Sequence, residues 1–504
     1  MSHQTNRKMV TVAMMVAVFL TAIDVTVVST AMPHIVGELQ GLSLYSWVFA
    51  IYTLTTSVTT PIYGKLADLF GRKIIFIIGV ILFVLGSVLS GLAQSMEQLI
   101  WFRAFQGIGA GAVMPVTFTI IGDIFPGEQR AKMQGLFSGV WGIAGLMGPL
   151  VGGMFVDHFS WRWIFYINVP VGAISLILVI LFLHETVERQ SKKIDYWGAL
   201  VFTASVSALL YALLSGGTKY AWGSTTIILL LIGSAIGILL FIWIETKVEE
   251  PMLPLSIFKI RVIAISNLIG FLLSFVLIGA NVYLPMWIQT ILGHSATSSG
   301  LTLMPMSLAW PLAATFGGRY MYRIGSKRTT LIGVILVALG TGWTLAIQLD
   351  SPYWYFVGLM IVLGLGMGYA ITPTTVMIQA SVGWQMRGAA TASNSFVRSL
   401  GQTIGITILG SMFNSSVAKY AASHLPDNAG DAETINNLLQ TNGEAGNNLT
   451  NIPPELMDFV NQSLAHGIHL IFIVIFVIAV AALISALFLP SHEKVLELQK
   501  RIDQ

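Results

Sequence analysis

The sequence contains no cysteine, and only 10% of its 504 residues are charged. The absence of cysteine excludes disulfides, thiolate metal sites and cysteine nucleophiles, although it leaves the redox compartment open. Soluble domains carry roughly 25% charged residues, and no soluble fold of this length can bury so much apolar side chain. The scarcity of charge therefore excludes a soluble protein.

Long uncharged stretches separate the few charges, and 55% of the residues are hydrophobic. Crossing a bilayer as a helix takes about 20 apolar residues, and a window of that length predicts fourteen spans. They lie near residues 10–32, 45–65, 73–93, 97–122, 132–155, 164–184, 196–216, 224–246, 261–285, 297–320, 328–348, 353–379, 387–413 and 466–489. The first is longer than the roughly 7–15 apolar residues of a signal peptide. The sequence predicts an all-α membrane protein.

Lysine and arginine are distributed unevenly between the two sides of the predicted membrane. With the N-terminus in the cytoplasm, 21 of the 26 basic residues fall in cytoplasmic segments, three fall outside and two lie within spans. Because cytoplasmic loops retain basic residues, both termini are expected in the cytoplasm and the protein in the cell membrane. The Asn-rich, acidic segment 414–465 is then expected to be an extracytoplasmic loop with little core of its own.

Three sequence patterns recur at nearly one spacing, which indicates two related halves. Gly64–Lys73, between spans 2 and 3, reappears as Gly318–Lys327 between spans 10 and 11, an offset of 254 residues. The glycines of span 4 and the arginine that opens span 5 recur after 257 residues. Transporters are commonly built from such repeats. We expect two six-helix bundles, residues 1–190 and 251–504, with a two-helix hairpin, residues 191–250, between them.

Three charged side chains lie well inside apolar spans: Asp24, Arg103 and Arg398. A charge at that depth costs at least about 2.5–3.5 kcal/mol on insertion scales, so each needs a partner or a role. Counting about 1.5 Å per residue along helices 1 and 4 places Asp24 and Arg103 at one depth. A carboxylate changes its protonation when its distance from an arginine changes. Asp24 is therefore the candidate proton carrier and Arg103 its modulator, with a purely structural ion pair as the alternative.

A substrate cavity between the bundles is expected to combine adaptable apolar side chains with a few polar groups. Its candidate residues are Gln106, Met114, Trp310 and Arg398. Arg398 either attracts an anionic or zwitterionic substrate group or pairs with a polar residue of the cavity. No metal site is predicted, because His466 and His469 have helical spacing but no third ligand.

These motifs resemble those of the major facilitator superfamily, and specifically its fourteen-helix drug:proton antiporters, over nearly the whole chain. Gly64–Lys73 is similar to the signature loop of the superfamily, and the helix 4 motif is matched by Leu99, Arg103, Gln106, Gly107 and Gly109. The resemblance implies a major-facilitator fold of six, two and six helices. It also implies that the loop is a latch that holds the cytoplasmic side closed.

The latch residues are Gly64, Asp68, Gly71, Arg72, Lys73 and Arg130. Asp68 is expected either to face the positive N-terminal end of a helix or to pair with Arg130 across the cytoplasmic face. The antiporter motif of helix 5 is matched by Gly145, Gly148, Pro149, Gly152 and Gly153. Small residues permit close helix packing and proline permits a bend, which suits an interface between moving bundles.

The expected function is secondary active transport: export of amphipathic small molecules in exchange for protons, by a monomer without a cofactor. A primary pump needs a nucleotide-binding motif, and no G-x-x-x-x-G-K-[ST] occurs. An enzyme is not expected, because the three buried charges lie on different helices and form no catalytic cluster. The basic residues form no tract for nucleic acid. The alternative on the same fold is a proton-coupled carrier of one metabolite or signalling anion.

Overall fold

The computed structural model describes residues 5–39, 44–125, 127–185, 195–216, 220–248, 251, 253–293, 296–349, 351–424 and 454–490. These residues form fifteen α-helices and two short 3-10 helices, Leu255–Lys259 and Trp384–Met386. The α-helices are α1 Arg7–Leu39, α2 Tyr45–Phe70, α3 Arg72–Gly91, α4 Met96–Ile124, α5 Gly127–His158, α6 Trp163–Tyr166, α7 Asn168–Phe182, α8 Tyr196–Ser215, α9 Thr225–Glu245, α10 Arg261–Thr290, α11 Ala296–Arg323, α12 Ser326–Thr344, α13 Tyr353–Ala380, α14 Arg387–Ser423 and α15 Pro454–Leu487.

Helices α6 and α7 make one span that is interrupted at Ile167, so the described helices form fourteen spans. Lipid offers no partner to backbone N–H and C=O groups, and a helix satisfies them within each span. The prediction of an all-α architecture with fourteen spans is therefore confirmed. The domain limits at residues 190 and 250 lie outside the described residues and stay a prediction.

The internal repeat of the sequence is repeated in the packing of the helices. In the first half, Gly109 of α4 lies against the backbone of α3 at Gly79 and Phe83. In the second half, Gly366 of α13 lies against α12 at Gly333 and Val337, the positions 254 residues further on. The turns before α3 and α12 also match, because each has a glycine with positive φ, Gly71 at 97° and Gly325 at 94°. A side chain is strained in that conformation, and glycine is not.

The hairpin of α8 and α9 lies beside the seam between α2 and α14. The ring of Phe202 in α8 is 5.2 Å from that of Phe396 in α14, and Tyr211 is 5.3 Å from Trp47 in α2. Helix α9 packs on the outside of α8 and leaves large apolar side chains exposed, such as Leu229 and Leu239. Such an apolar surface is the one that lipid covers.

The two bundles touch mainly where α2 meets α14 and where α5 meets α11, and α4 with α14 and α5 with α13 add smaller contacts. We call the end of the molecule with the α2–α3 and α11–α12 turns the basic end. Gly135 and Gly142 of α5 lie against α11 in the half of the bundle nearer that end. Further along α5, a Cβ added at Gly145 or Gly153 would meet no atom within 4 Å. The bundles are therefore joined at the basic end and separate towards the opposite end.

The contact helices carry many small and polar residues. In the described part of the chain, nine helical segments are long and apolar enough to cross a membrane on their own. The four contact helices α2, α5, α11 and α14 are not among them, and neither is α12, which lies away from the contact. Small and polar residues are typical of helix contacts inside membranes.

The predicted loop 414–465 is shorter than expected. Helix α14 continues to Ser423 and α15 begins at Pro454, so only residues 425–453 lie outside the described residues. Val417, Val460 and Leu464 are buried, and they extend the apolar helical periodicity beyond the predicted spans. The helices therefore extend into both ends of the predicted segment, where Asn, Ser and His residues hid the periodicity, and the extracytoplasmic location of the segment stays a prediction.

Candidate functional site

A carboxylate in α1 is the centre of a fully buried polar cluster in the first bundle. Asp24 Oδ2 accepts a hydrogen bond of 2.6 Å from a terminal nitrogen of Arg103, and Gln106 Nε2 donates to Asp24 Oδ1 at 2.9 Å. Arg103 also donates to Gln106 Oε1 at 2.8 Å. The Asp24 and Arg103 side chains are 0% and 1% exposed. The residues that the sequence places at one depth are thus in direct contact, and Gln106 belongs to this cluster.

The arginine has further partners besides the carboxylate. The Arg103 guanidinium carbon lies 4.1 Å above the ring of Tyr52 in α2, a cation–π distance. A buried ion pair is stable only when hydrogen bonds satisfy its remaining groups. Gln106 supplies one such bond and Tyr52 a ring contact, while Arg103 Nε has no hydrogen-bond partner among the described residues.

Asn168, which the sequence analysis did not single out, completes the surroundings of the carboxylate. Its Nδ2 donates to Asp24 Oδ1 at 3.1 Å and to Ser87 Oγ at 2.9 Å. Ser87 in turn donates to the carbonyl oxygen of Phe165 at 2.8 Å, in the short helix α6 before the interruption at Ile167. All three side chains are buried. The only sequence signal was a neutral amide at the start of a very apolar span.

The cluster is connected to the helix that joins the bundles. Thr26, two residues after Asp24, donates to the carbonyl oxygen of Ala144 in α5 at 3.1 Å. Gly148 packs directly onto Thr26 and leaves no room for a side chain. Gly152 is buried, Pro149 lies within α5, and Gly145 and Gly153 face open space. The glycines of the helix 5 motif thus serve two surfaces, the α1 contact and the gap between the bundles.

Asp68 joins the two bundles at the basic end. Its carboxylate accepts hydrogen bonds from the backbone N–H groups of Gly388 (3.1 Å) and Ala389 (2.8 Å), at the N-terminus of α14. A helix N-terminus favours a negative charge. Gly64 lies one turn away, where an added Cβ would be 2.9 Å from the Gly388 carbonyl oxygen. Burial raises the pKa of Asp68 to about 7, while Arg72 and the two backbone N–H groups act in the opposite direction.

Arginines on both sides extend this contact. Arg72 donates to Asp68 Oδ1 and to the carbonyl oxygen of Trp384, both at 2.8 Å, and its guanidinium stacks 3.9 Å above the Trp384 ring. From the second bundle, Arg387 donates to Asp123 Oδ1 at 2.7 Å. Arg72 Nε also lies 3.2 Å from Asp123 Oδ2, within ion-pair distance but without hydrogen-bond alignment. Asp123 therefore links an arginine of each bundle.

Two latch residues stay within the first bundle. Arg130 donates to the carbonyl oxygens of Gly122 (2.6 Å) and Phe125 (3.3 Å) at the end of α4, and its partner is not Asp68. Lys73 Nζ donates to the carbonyl oxygens of Ile180 and Leu183 at the end of α7. These cations satisfy carbonyls that a helix end leaves free. Asp68 takes the helix N-terminus alternative, across the bundle contact.

The remaining cavity candidates belong to different bundles, and their role in a cavity stays a prediction. Met114 packs against the core of the first bundle and Trp310 against that of the second. Arg398 lies in α14 beside Gly270 of α10, where an added Cβ would be 3.3 Å from Arg398 Cγ. In the described part of the chain, no group of three or more His, Asp or Glu side chains is placed to hold a metal ion.

A membrane-spanning pair of repeated bundles, joined at one end and carrying a buried carboxylate, is the architecture of a secondary transporter. The chain belongs to the Major Facilitator Superfamily, whose sequence profile matches residues 14–406.

Two curated relatives are similar over most of the chain. The multidrug transporter protein MdtP of Bacillus subtilis (strain 168) is 40% identical over 412 residues, which cover 82% of this chain and 76% of that protein. Multidrug resistance protein 3 of the same organism is 35% identical over 499 residues, covering 97% and 96%. The structure of the proton:xylose symporter XylE bound to 6-bromo-6-deoxy-D-glucose has a TM-score of 0.63 at 15% identity, covering 96% of both chains. The predicted major-facilitator fold is confirmed.

Proposed function

We propose that this transporter exports amphipathic small molecules from the cytoplasm in exchange for protons, and that Asp24 carries the proton. The observation that supports this most directly is the Asp24 carboxylate itself, which is 0% exposed inside a span and bonded to three side-chain donors. A group with only a packing role needs no charge there, because a charge inside a span is costly. Two relatives named as multidrug proteins support the substrate class.

The hydrogen bonds of Asp24 indicate how a proton takes the place of Arg103 as the partner of the carboxylate. Three donors hold the Asp24 carboxylate, and the positive charge of Arg103 favours its ionised form, so a proton binds more readily once Arg103 withdraws. Arg103 is the donor that can withdraw, because Gln106 and the Tyr52 ring remain beside it. Protonation then replaces the ion pair with a neutral carboxyl group and a guanidinium that retains two contacts.

Movement of α1 relative to α5 would couple this exchange to the bundle contact. Thr26 connects α1 to the Ala144 carbonyl, and α5 reaches α11 of the second bundle through Gly142. Release of the Asp68 and Asp123 contacts would open the basic end, while the opposite end closes. Substrate and proton then meet the protein from opposite sides in turn.

The basic end faces the cytoplasm in this scheme, because most lysines and arginines lie on that side. Residues 1–190 and 251–504 act as the two bundles, and residues 191–250 as an accessory hairpin. Every group of the cluster and of the latch belongs to one chain, which supports a monomer as the working unit. No cofactor takes part, and the proton gradient supplies the energy.

The test measures transport driven by an imposed ΔpH in everted vesicles, with a panel of cationic, neutral and anionic amphipathic dyes. Asp24→Asn keeps the shape of the side chain but cannot release a proton, so accumulation should fall to background. Asp24→Glu keeps a titratable group and should retain part of the activity. The matched control is Asp195→Asn, because Asp195 caps α8 in the hairpin and asparagine is an equally good cap. Accumulation by the Asp24→Asn protein against a gradient would exclude Asp24 as the carrier.

A further inference from the structure

Besides the Asp24 cluster, the spans contain a second buried polar cluster, in the C-terminal bundle. It consists of Asn267 in α10 and of Asn394 and Arg398 in α14. Asn394 Nδ2 donates to Asn267 Oδ1 at 2.9 Å, and the two amides are 4% and 3% exposed. Gly270 completes the group, since its missing side chain gives the Arg398 stem room against α10. The cluster therefore joins the two helices where an amide pair and an arginine meet.

Two donors in this cluster have no acceptor. The Asn394 bond orients the Asn267 amide and leaves its Nδ2 buried without a hydrogen-bond partner among the described residues. Arg398 Nε is also buried and unpartnered there. Buried donors are nearly always satisfied in proteins, so such a pair calls for an acceptor from elsewhere.

The charge of Arg398 is also unbalanced. Within the described residues it forms no ion pair, whereas Arg103, Arg72 and Arg387 each contact a carboxylate. The sequence places no Asp or Glu inside the spans of this bundle. Arg398 lies in mid-span and its side chain is only half-buried. Because a charge inside a span avoids lipid, we expect its accessible surface to face the space between the helices, where a solute can reach it.

We propose that Arg398, Asn267 and Asn394 bind a carboxylate of an amphipathic substrate. An arginine binds a carboxylate through two parallel hydrogen bonds, and Asn267 Nδ2 adds a third donor. Among the described residues, Arg398 is a positive charge in the middle of a span with no ion-pair partner, which favours amphipathic weak acids over organic cations. This inference names the substrate class of the proposed transporter and rests on that function.

The test measures binding to the purified full chain in detergent, without a proton gradient. Three probes share one ring system: 1-naphthaleneacetate is anionic, 1-naphthaleneacetamide neutral and 1-naphthylmethylammonium cationic. We expect the acetate to bind about ten-fold or more tightly than the other two. Arg398→Gln should remove this preference, and Arg398→Lys should retain part of it, because lysine keeps the charge without the bidentate fork. The exposed Arg319→Gln is the matched control and should retain it fully.

A second measurement uses the absence of cysteine in the chain. Gln402 lies one turn from Arg398 on α14 and is half-buried. A Gln402→Cys protein should react faster with an anionic than with a cationic thiosulfonate reagent, and adding Arg398→Gln should reverse the order.

The proposal would be overturned by any of three results: equal binding of the acetate and the acetamide, undetectable binding of the acetate, or an unchanged preference in Arg398→Gln. Even then, loss of ΔpH-driven dye export in Asp24→Asn would support the proposed transport function. Failure of the substrate proposal can therefore be distinguished from failure of the transport proposal.

Discussion

Asn168 is the donor to Asp24 whose removal leaves the ion pair with Arg103 in place. Replacing it with leucine keeps a similar volume and removes one hydrogen bond to the charged carboxylate. Such a bond is worth about 1.5–3 kcal/mol, so the charged carboxylate is held less firmly and ΔpH-driven transport should fall roughly ten-fold. The measurement is the initial rate of dye uptake into vesicles over a series of pH values.

Ser87→Ala is the matched control for this variant. It removes the second partner of the Asn168 amide but leaves the bond to Asp24. Its transport rate should stay close to that of the unmodified protein. If both variants lower the rate equally, Asn168 only supports the packing of α7.

Single residues differ in how far the sequence could locate them. Asp24 and Arg103 stand out because charges inside spans are rare, and the rise of a helix is enough to give each a depth. Asn168 carries no charge and hardly changes the apolar character of its span. The partners of Asp68 could not be predicted, because Gly388 and Ala389 are 320 residues away and belong to the other bundle.

At the scale of helices, the α2–α14 contact contains a titratable group. The pKa of Asp68 is about 7 in the joined state, because burial outweighs Arg72 and the N–H groups of α14. In a separated, hydrated state its ordinary pKa is 3.8. At pH values between 3.8 and 7 the joined state binds more protons than the separated state. Asp68 therefore stabilises the joined state at low pH, and this stabilisation is lost as the pH rises through 7. Lowering the pH from 8 to 6 should favour the joined basic end.

Asp68→Asn tests this contact. The amide oxygen still accepts a backbone N–H but carries no charge, so the joined state should persist at every pH and transport should fall roughly five-fold or more. Spin labels at Phe70→Cys and Met386→Cys, exposed residues of the two bundles at the basic end, report the distance between them. In the labelled protein that retains Asp68, the fraction of molecules with a short distance between the two labels should increase at low pH. If the distance in Asp68→Asn still depended on pH, the titrating group would be another residue. The same would follow if the pH dependence disappeared in the control Glu97→Gln, at the opposite end.

Helix ends were harder to predict than helices. The spans follow from the requirement that lipid-exposed backbone be hydrogen-bonded internally, and composition alone reveals them. Helices α14 and α15 extend past the apolar region, and near this end Tyr420 of α14 stacks on His424 and on His466 of α15, with ring centroids 4.2 and 4.7 Å apart. Contacts between polar rings leave no trace in hydropathy.

For the molecule as a whole, the repeat makes the two bundles similar, and the acidic residues make them different. Arg130 and its repeat equivalent Arg387 bind carbonyls at equivalent helix ends, Gly122 and Gln379. Only Arg387 also reaches an acid across the interface, Asp123, because the equivalent position in the second bundle is Ala380. The latch is thus one-sided: the acids come from the first bundle and the helix N-terminus from the second.

If the bundles rock about this interface, joining α5 to α11 permanently should stop transport. A Cβ built on Gly139 lies 3.7 Å from Pro311 Cβ, close to the mean of about 3.8 Å in disulfides. Gly139→Cys with Pro311→Cys should therefore form a cross-link in the half of the interface nearer the basic end. No native cysteine competes with it. Oxidation should reduce ΔpH-driven dye accumulation to background, and dithiothreitol should restore it, whereas each single variant should not respond to oxidant. Full transport by the cross-linked protein would mean that α5 and α11 stay together throughout the cycle, and the exchange of access would then have to come from helices bending within each bundle.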